Sequence, residues 1–162
     1  MQTLEDLSTS TYGVVDTWNW TFGDDGSTST VQHPSHFFKT IGTFSIKLKV
    51  TTDKGCSHDT TQTLTILPSP IANYTATTVC VGDATNFKDL SQATNPLDPI
   101  KSRIWSFGDA SPPSSSLAPT HTYNNPGTYS TFLIVTTVKG CVGKALADVI
   151  VHKLPKANFS AT

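Results

Sequence analysis

Alternation of apolar and polar residues organises most of this chain. Phe44, Ile46, Leu48 and Val50 are separated by Ser45, Lys47, Lys49 and Thr51, the period-two pattern of a strand with one buried and one solvated face. Thr63-Leu64-Thr65-Ile66 alternates likewise, and Asp53-Lys54-Gly55 between the two runs predicts a hairpin turn. Upstream, Trp18, Trp20 and Phe22 alternate with Asn19 and Thr21, which puts three aromatic rings on one face. Burying one large aromatic side chain is worth roughly 2–3 kcal/mol, so this strand is expected to anchor a core. Gly23-Asp24-Asp25-Gly26 ends it, and Pro126-Gly127 marks a turn before a later strand. No helical periodicity runs beyond one turn. Short strands with turns every roughly 8–12 residues predict an all-β, two-sheet antiparallel sandwich.

The pattern occurs twice. Trp20-Thr21-Phe22-Gly23-Asp24 returns as Trp105-Ser106-Phe107-Gly108-Asp109, and the same 85-residue shift carries His36-Phe37-Phe38 onto His121-Thr122-Tyr123. It also carries Gly42-Thr43-Phe44 onto Gly127-Thr128-Tyr129, Gly55-Cys56 onto Gly140-Cys141, and Ala72-Asn73-Tyr74 onto Ala157-Asn158-Phe159. A unit of this length is a small sandwich domain, too long for a solenoid repeat. The Pro-rich joint Leu67-Pro68-Ser69-Pro70, echoed at Leu154-Pro155, reads as a short stiff linker. Leu4-Glu5-Asp6-Leu7-Ser8 resembles Phe87-Lys88-Asp89-Leu90-Ser91 at a shift of 83, so the first repeat starts at what is the second strand of the other. The expected organisation is residues 1–67 as repeat 1 without its first strand and 68–153 as a complete repeat 2. Residues 154–162 then form a linker and the first strand of a third repeat. Ends out of phase with the domain, and a polar stretch after Met1, read as an excerpt of a longer tandem array.

Composition narrows the function. Charged residues make up 14% of the chain and the net charge is -1, so bulk electrostatics attracts neither nucleic acid nor an anionic membrane. No apolar run approaches the ~20 residues of a membrane-spanning helix, and no membrane insertion is expected. The five histidines show no metal-binding spacing, and no nucleophile–base pairing is apparent, so neither metal, cofactor nor enzymatic activity is expected. Asp24 and Asp109, each following a glycine, are expected to cap their own turns, since one or two carboxylates are too few for calcium. His36 and His121 stand at equivalent places two residues before an aromatic and suggest a structural hydrogen bond near the core.

W-x-F-G-D, then H-x-[FY], then P-G-T-Y or I-G-T-F, an alternating strand and a G-C turn resemble the PKD domain, named after polycystic kidney disease protein. That resemblance implies two tandem immunoglobulin-like β-sandwiches, an extracellular or cell-surface setting, and a spacer or interaction role. The motif residues Trp20, Phe22, Gly23, Asp24 and His36, with Trp105, Phe107, Gly108, Asp109, His121 and Tyr123, are then structural core. The G-C turn paired with Val79-Cys80-Val81-Gly82-Asp83 resembles versions in large bacterial secreted and surface proteins. Repeat 1 departs from the usual motif at Asn19 and Thr21, and repeat 2 has Ala110 where a second glycine is common.

Two features carry functional weight beyond the motif. Cys56 and Cys141 occupy equivalent turns, whereas Cys80 precedes the second strand of repeat 2. In a sandwich those positions lie at opposite ends, ~25 Å apart, while a disulfide needs Cα atoms within ~7 Å. A bond stapling neighbouring repeats, a bond within the repeat and free thiols all remain open. The second feature is an asymmetry. On the outward face repeat 1 has Asn19, Lys47, Lys49 and Thr65, where repeat 2 has Ile104, Phe132, Ile134 and Ile150. Such an apolar face marks a contact, self-association included, unless the loop Ala110 to Pro119 folds over it. The favoured function is a non-enzymatic structural and adhesive module with a protein or glycan partner. The alternative is an accessory segment of a secreted hydrolase. The free strand Lys156 to Thr162 and the uncovered edge of repeat 1 also allow strand donation from one chain to the next.

Overall fold

The computed structural model describes residues 1–160, so the last two residues of the expected third-repeat segment lie outside the described residues. The chain divides into two compact units, one up to Leu67 and one from Pro68. No helix occurs among the described residues, and none is long and apolar enough to cross a membrane.

The first unit contains β1 (Gln2–Thr3), β2 (Val15–Phe22), β3 (Thr28–Ser29), β4 (Ser35–His36), β5 (Gly42–Thr52) and β6 (Ser57–Ile66). Strands β3-β2-β5-β6 form one antiparallel sheet and β1-β4 the other. The register sets Trp20 opposite Leu48 and Phe22 opposite Ile46, and these four with Phe38 make the core. Their alternating neighbours, including Lys47 and Lys49, face water, as the period of two requires.

The second unit repeats this plan and adds to it. Its strands are β7 (Tyr74–Ala76), β8 (Val79–Cys80), β9 (Ala84–Asp89), β10 (Ile100–Ser106), β11 (Thr120–Thr122), β12 (Gly127–Thr137) and β13 (Val142–His152). The sheets run β10-β12-β13-β8 and β11-β9-β7, with only the β13–β8 pair parallel. A register shift interrupts β10–β12 between Ile100 and Ser102, and the same irregularity falls between Val15 and Thr17 in β2–β5. The duplication therefore extends to the bulges. Trp105 is fully buried at 0% exposure and Trp20 nearly so at 6%, at equivalent places in the two cores.

The shift of 83 read from the sequence has a structural counterpart. β1 pairs with β4 as β9 pairs with β11, Gln2 lying opposite His36 and Thr85 opposite His121. Asp6 and Asp89 follow on these segments, each accepting the backbone N–H of a serine two residues on. β7 pairs along β9 through Tyr74↔Asp89 and Ala76↔Phe87, and among the described residues β1 pairs with β4 alone.

Candidate functional site

The turn motif is built from the ring of Phe22, which stacks on His36 with centroids 4.0 Å apart and planes within 7°. Phe107 and His121 repeat this at 4.2 Å and 2°. Each imidazole then meets the aspartate that follows the glycine. His36 Nε2 lies 2.9 and 3.0 Å from the two Asp24 oxygens, and His121 Nε2 lies 2.7 Å from Asp109 Oδ2. The histidine's edge contacts Phe38 or Tyr123, both at 4.6 Å, and that ring stacks in turn on Phe44 or Tyr129. A column of four rings thus ties the turn to the start of the long hairpin. Tyr123 adds a hydrogen bond from its hydroxyl to Phe107 O at 2.9 Å, and burial raises its pKa above the ordinary phenol range. The glycine is a matter of clearance: a Cβ on Gly23 would lie 2.4 Å from Ser45 O, and one on Gly108 2.6 Å from Ser130 O. Ala110 occupies the left-handed region at φ 63°, which is why glycine suits that place.

One expectation needs correction. Asp24 does not cap its own turn; Asp25 does, its Oδ1 accepting Ser27 N–H at 2.9 Å. The carboxylate directly after the glycine is turned to the histidine, because the stacked imidazole brings Nε2 within reach. Asp109 serves both purposes, with Oδ1 accepting from Ser111 and Oδ2 facing His121. Burial raises the Asp109 pKa, but these hydrogen bonds outweigh it and hold the carboxyl at about 2. Asp24, Asp25 and His36 gather one ligating atom each within 4.8 Å of one another. Both Asp24 oxygens are already occupied by His36, and repeat 2 has Ala110 in place of the second carboxylate. The arrangement is that of a fastener.

Cys56, Cys80 and Cys141 are free thiols. Cys80 lies beside His152 at the end of β13, and Cys141 immediately precedes the first residue of that strand. With about 3.3 Å per residue the two are on the order of 35 Å apart, which excludes a bond within repeat 2.

The outward face of repeat 2 is an apolar cluster with a different membership from the one expected. Ile104 lies opposite Ile134, and Phe132 lies opposite Leu146. Ile150 stands apart, because the row Ser130–Asp148, itself joined by a 2.7 Å hydrogen bond, separates it from Phe132 and Leu146. Leu146, 67% exposed, was legible from its parity with Ile150 and replaces it in the cluster. Ile104 is 48% exposed, while Phe132 is half-buried with Lys144 Nζ 4.5 Å above its ring. The Ala110–Pro119 loop does not cover this face. Ser114 forms a backbone bridge with Trp105, and Ser116 O accepts the Trp105 indole N–H at 2.9 Å, so the loop follows the edge of β10. Repeat 1 shows Asn19, Lys47, Lys49 and Thr61 at the matching places, with Lys47 paired to Asp59.

A second surface went unread in the sequence. In repeat 1 an open groove of about 470 Å³ lies against Leu4, Trp20, Ile46, Leu48, Gln62 and Leu64. The Trp20 indole N–H is buried with no partner among the described residues, in contrast to that of Trp105.

Comparison with known proteins agrees with this architecture. The family model of the PKD domain matches twice, over residues 3–68 and 67–151. A microbial collagenase of Vibrio alginolyticus is 36% identical over 94 residues, which is 57% of this chain but only 11% of the collagenase. The solved PKD1 domain of Vibrio anguillarum Epp is 25% identical at a TM-score of 0.50, covering 55% of this chain and 100% of that domain. A structure of carbohydrate-binding modules from the β-sandwich superfamily is 27% identical at a TM-score of 0.50, over 54% of this chain and 36% of its own. PKD domains are non-catalytic modules. With its repeated Phe–His–Asp turn, its two sandwiches and both halves matched, the chain belongs to the PKD domain family as two tandem members.

Proposed function

We propose that this chain is a pair of non-catalytic accessory modules of a longer, exported hydrolase, and that repeat 2 carries the surface by which the whole protein engages a proteinaceous target. The observation that carries this reading is the outward face of Ile104, Phe132, Ile134 and Leu146. A contiguous apolar face on a solvated sheet marks a contact, and repeat 1 forms the same sheet with exposed lysines there. A protein target fits the face better than a glycan. Sugar rings need an exposed aromatic platform, and Phe132 is half-buried beneath Lys144. The collagenase relationship supports the hydrolase setting. A structural and adhesive spacer is the second reading, favoured by the tandem arrangement and the Pro-rich joint at Leu67–Pro70.

Co-sedimentation of the chain with insoluble collagen fibrils, with cellulose and chitin as controls, tests the proposal. Binding to the protein fibres is expected, falling to background on Phe132→Lys with Ile134→Lys, which copies Lys47 and Lys49. Equal binding before and after that change, or binding to the polysaccharides alone, would overturn it.

A further inference from the structure

The outward residues of β13 form a pattern that reads alike from either end, with the signs of its charges exchanged. Val142, Lys144, Leu146, Asp148 and Ile150 stand at every second position, and all five are exposed. Leu146 is the midpoint. A cation and an anion flank it, and beyond them Val142 and Ile150 are 52% and 48% exposed. The adjacent strand β12 continues these rows through Thr136, Ile134, Phe132, Ser130 and Thr128. Its midpoint Phe132 lies beside Leu146, and both its ends are threonines.

Neither charge on β13 has an opposite charge beside it among the described residues. Lys144 Nζ rests 4.5 Å above the Phe132 ring, and Asp148 Oδ1 accepts the Ser130 hydroxyl at 2.7 Å, which engages one of its two oxygens. Repeat 1 lacks the pattern. Ser57, Asp59, Thr61, Thr63 and Thr65 stand at the matching places of β6, and Asp59 is already paired with Lys47 of the adjacent strand at 2.9 Å.

We propose that this face is where two copies of the chain pair, related by a two-fold axis that lies between their sheets and crosses β13 above Leu146. Rotation about that axis reverses the strand, so Lys144 of each copy comes over Asp148 of the other. Leu146 then meets Leu146, Phe132 meets Phe132, and Val142 meets Ile150. An isologous contact requires self-complementarity of this kind. Sheets stacked face to face lie ~10 Å apart and within about 30° of alignment, a gap that lysine and aspartate side chains bridge together. The opposite charges also fix the orientation, because strands aligned in parallel would set lysine on lysine. The five rows span ~26 Å, a patch at the small end of specific interfaces, so the pairing is expected to be reversible. Pairing covers the residues that the proposed target would touch, and the two therefore exclude each other. That competition rests on the function proposed above; the pairing itself does not.

Sedimentation velocity of the intact chain over a concentration series tests it. The mass is expected to rise towards that of two copies and no further. Lys144→Asp alone brings carboxylates against carboxylates, and Asp148→Lys alone brings ammonium against ammonium. Each should weaken association at least about tenfold, and both positions are exposed, so folding does not need them. An equimolar mixture of the two variants should associate again, since each supplies the charges that the other lacks. A chain carrying both changes should associate with itself. A monomer at every concentration would overturn the proposal, as would single variants that associate like the unaltered chain, or a mixture and a doubly changed chain that both stay monomeric. Fibril co-sedimentation keeps the two readings apart. Pairing without fibril binding removes only the proposed target, and fibril binding by a chain that stays monomeric removes only the pairing.

Discussion

The two repeats share a skeleton and differ in nearly everything that faces outward. Both hold the Phe–His–Asp column, the glycine pressed against the next strand, and the register shift at the start of β2 and β10. Repeat 2 closes its core with Tyr74 and satisfies the Trp105 indole through Ser116, while repeat 1 has an open groove and an unpartnered Trp20 N–H. At the equivalent buried carboxylates, Asp89 is held by the Arg103 guanidinium, and Asp6 by the neutral donors Trp18 Nε1 at 2.7 Å and Gln32 Nε2 at 3.2 Å. Where duplication leaves the column intact but changes faces and edges, the column reports how the domain folds and the faces report what it does.

The largest expected effect would sharpen that contrast in the cores. Trp105→Ala should cost about 3–5 kcal/mol by removing a ring packed on all sides. Trp20→Ala should cost clearly less, since its ring already borders open space and its N–H gains nothing. Chemical denaturation of the intact chain checks the pair, and equal losses would break the comparison.

Next in size is the carboxylate pair. Arg103→Met leaves Asp89, whose side chain is 3% exposed, without its cation, and repeat 2 should lose about 2–4 kcal/mol. Trp18→Phe removes one of several hydrogen bonds to Asp6 and should cost about 1 kcal/mol. Thermal unfolding of the two variants would show a larger shift for Arg103→Met; the reverse order would mean that the neutral donors hold their carboxylate more firmly than the guanidinium does.

The smallest effect concerns acid. Asp109 titrates at about 2, below its ordinary 3.8, so its stabilisation of repeat 2 is complete above about pH 4 and is lost as pH falls through 2. Discounted for solvent exposure, the loss is about 1 kcal/mol. Asp109→Asn should flatten this part of the pH–stability profile, and an unchanged slope would place the acid sensitivity elsewhere.

The sequence by itself determined the all-β class, the duplication and the buried tryptophans, because strand periodicity and a repeated motif are local or one-dimensional signals. It also placed His36 and His121 near the core, though not on Asp24 and Asp109, whose partner lies twelve residues away across a turn. Tertiary structure alone decided the outward cluster. Parity gives the face of a strand, but only the register between strands separates Ile150 from Phe132 and brings in Leu146. The same holds for the groove of repeat 1, lined by Leu4, Trp20, Ile46 and Leu64, residues scattered along the chain that only packing brings together.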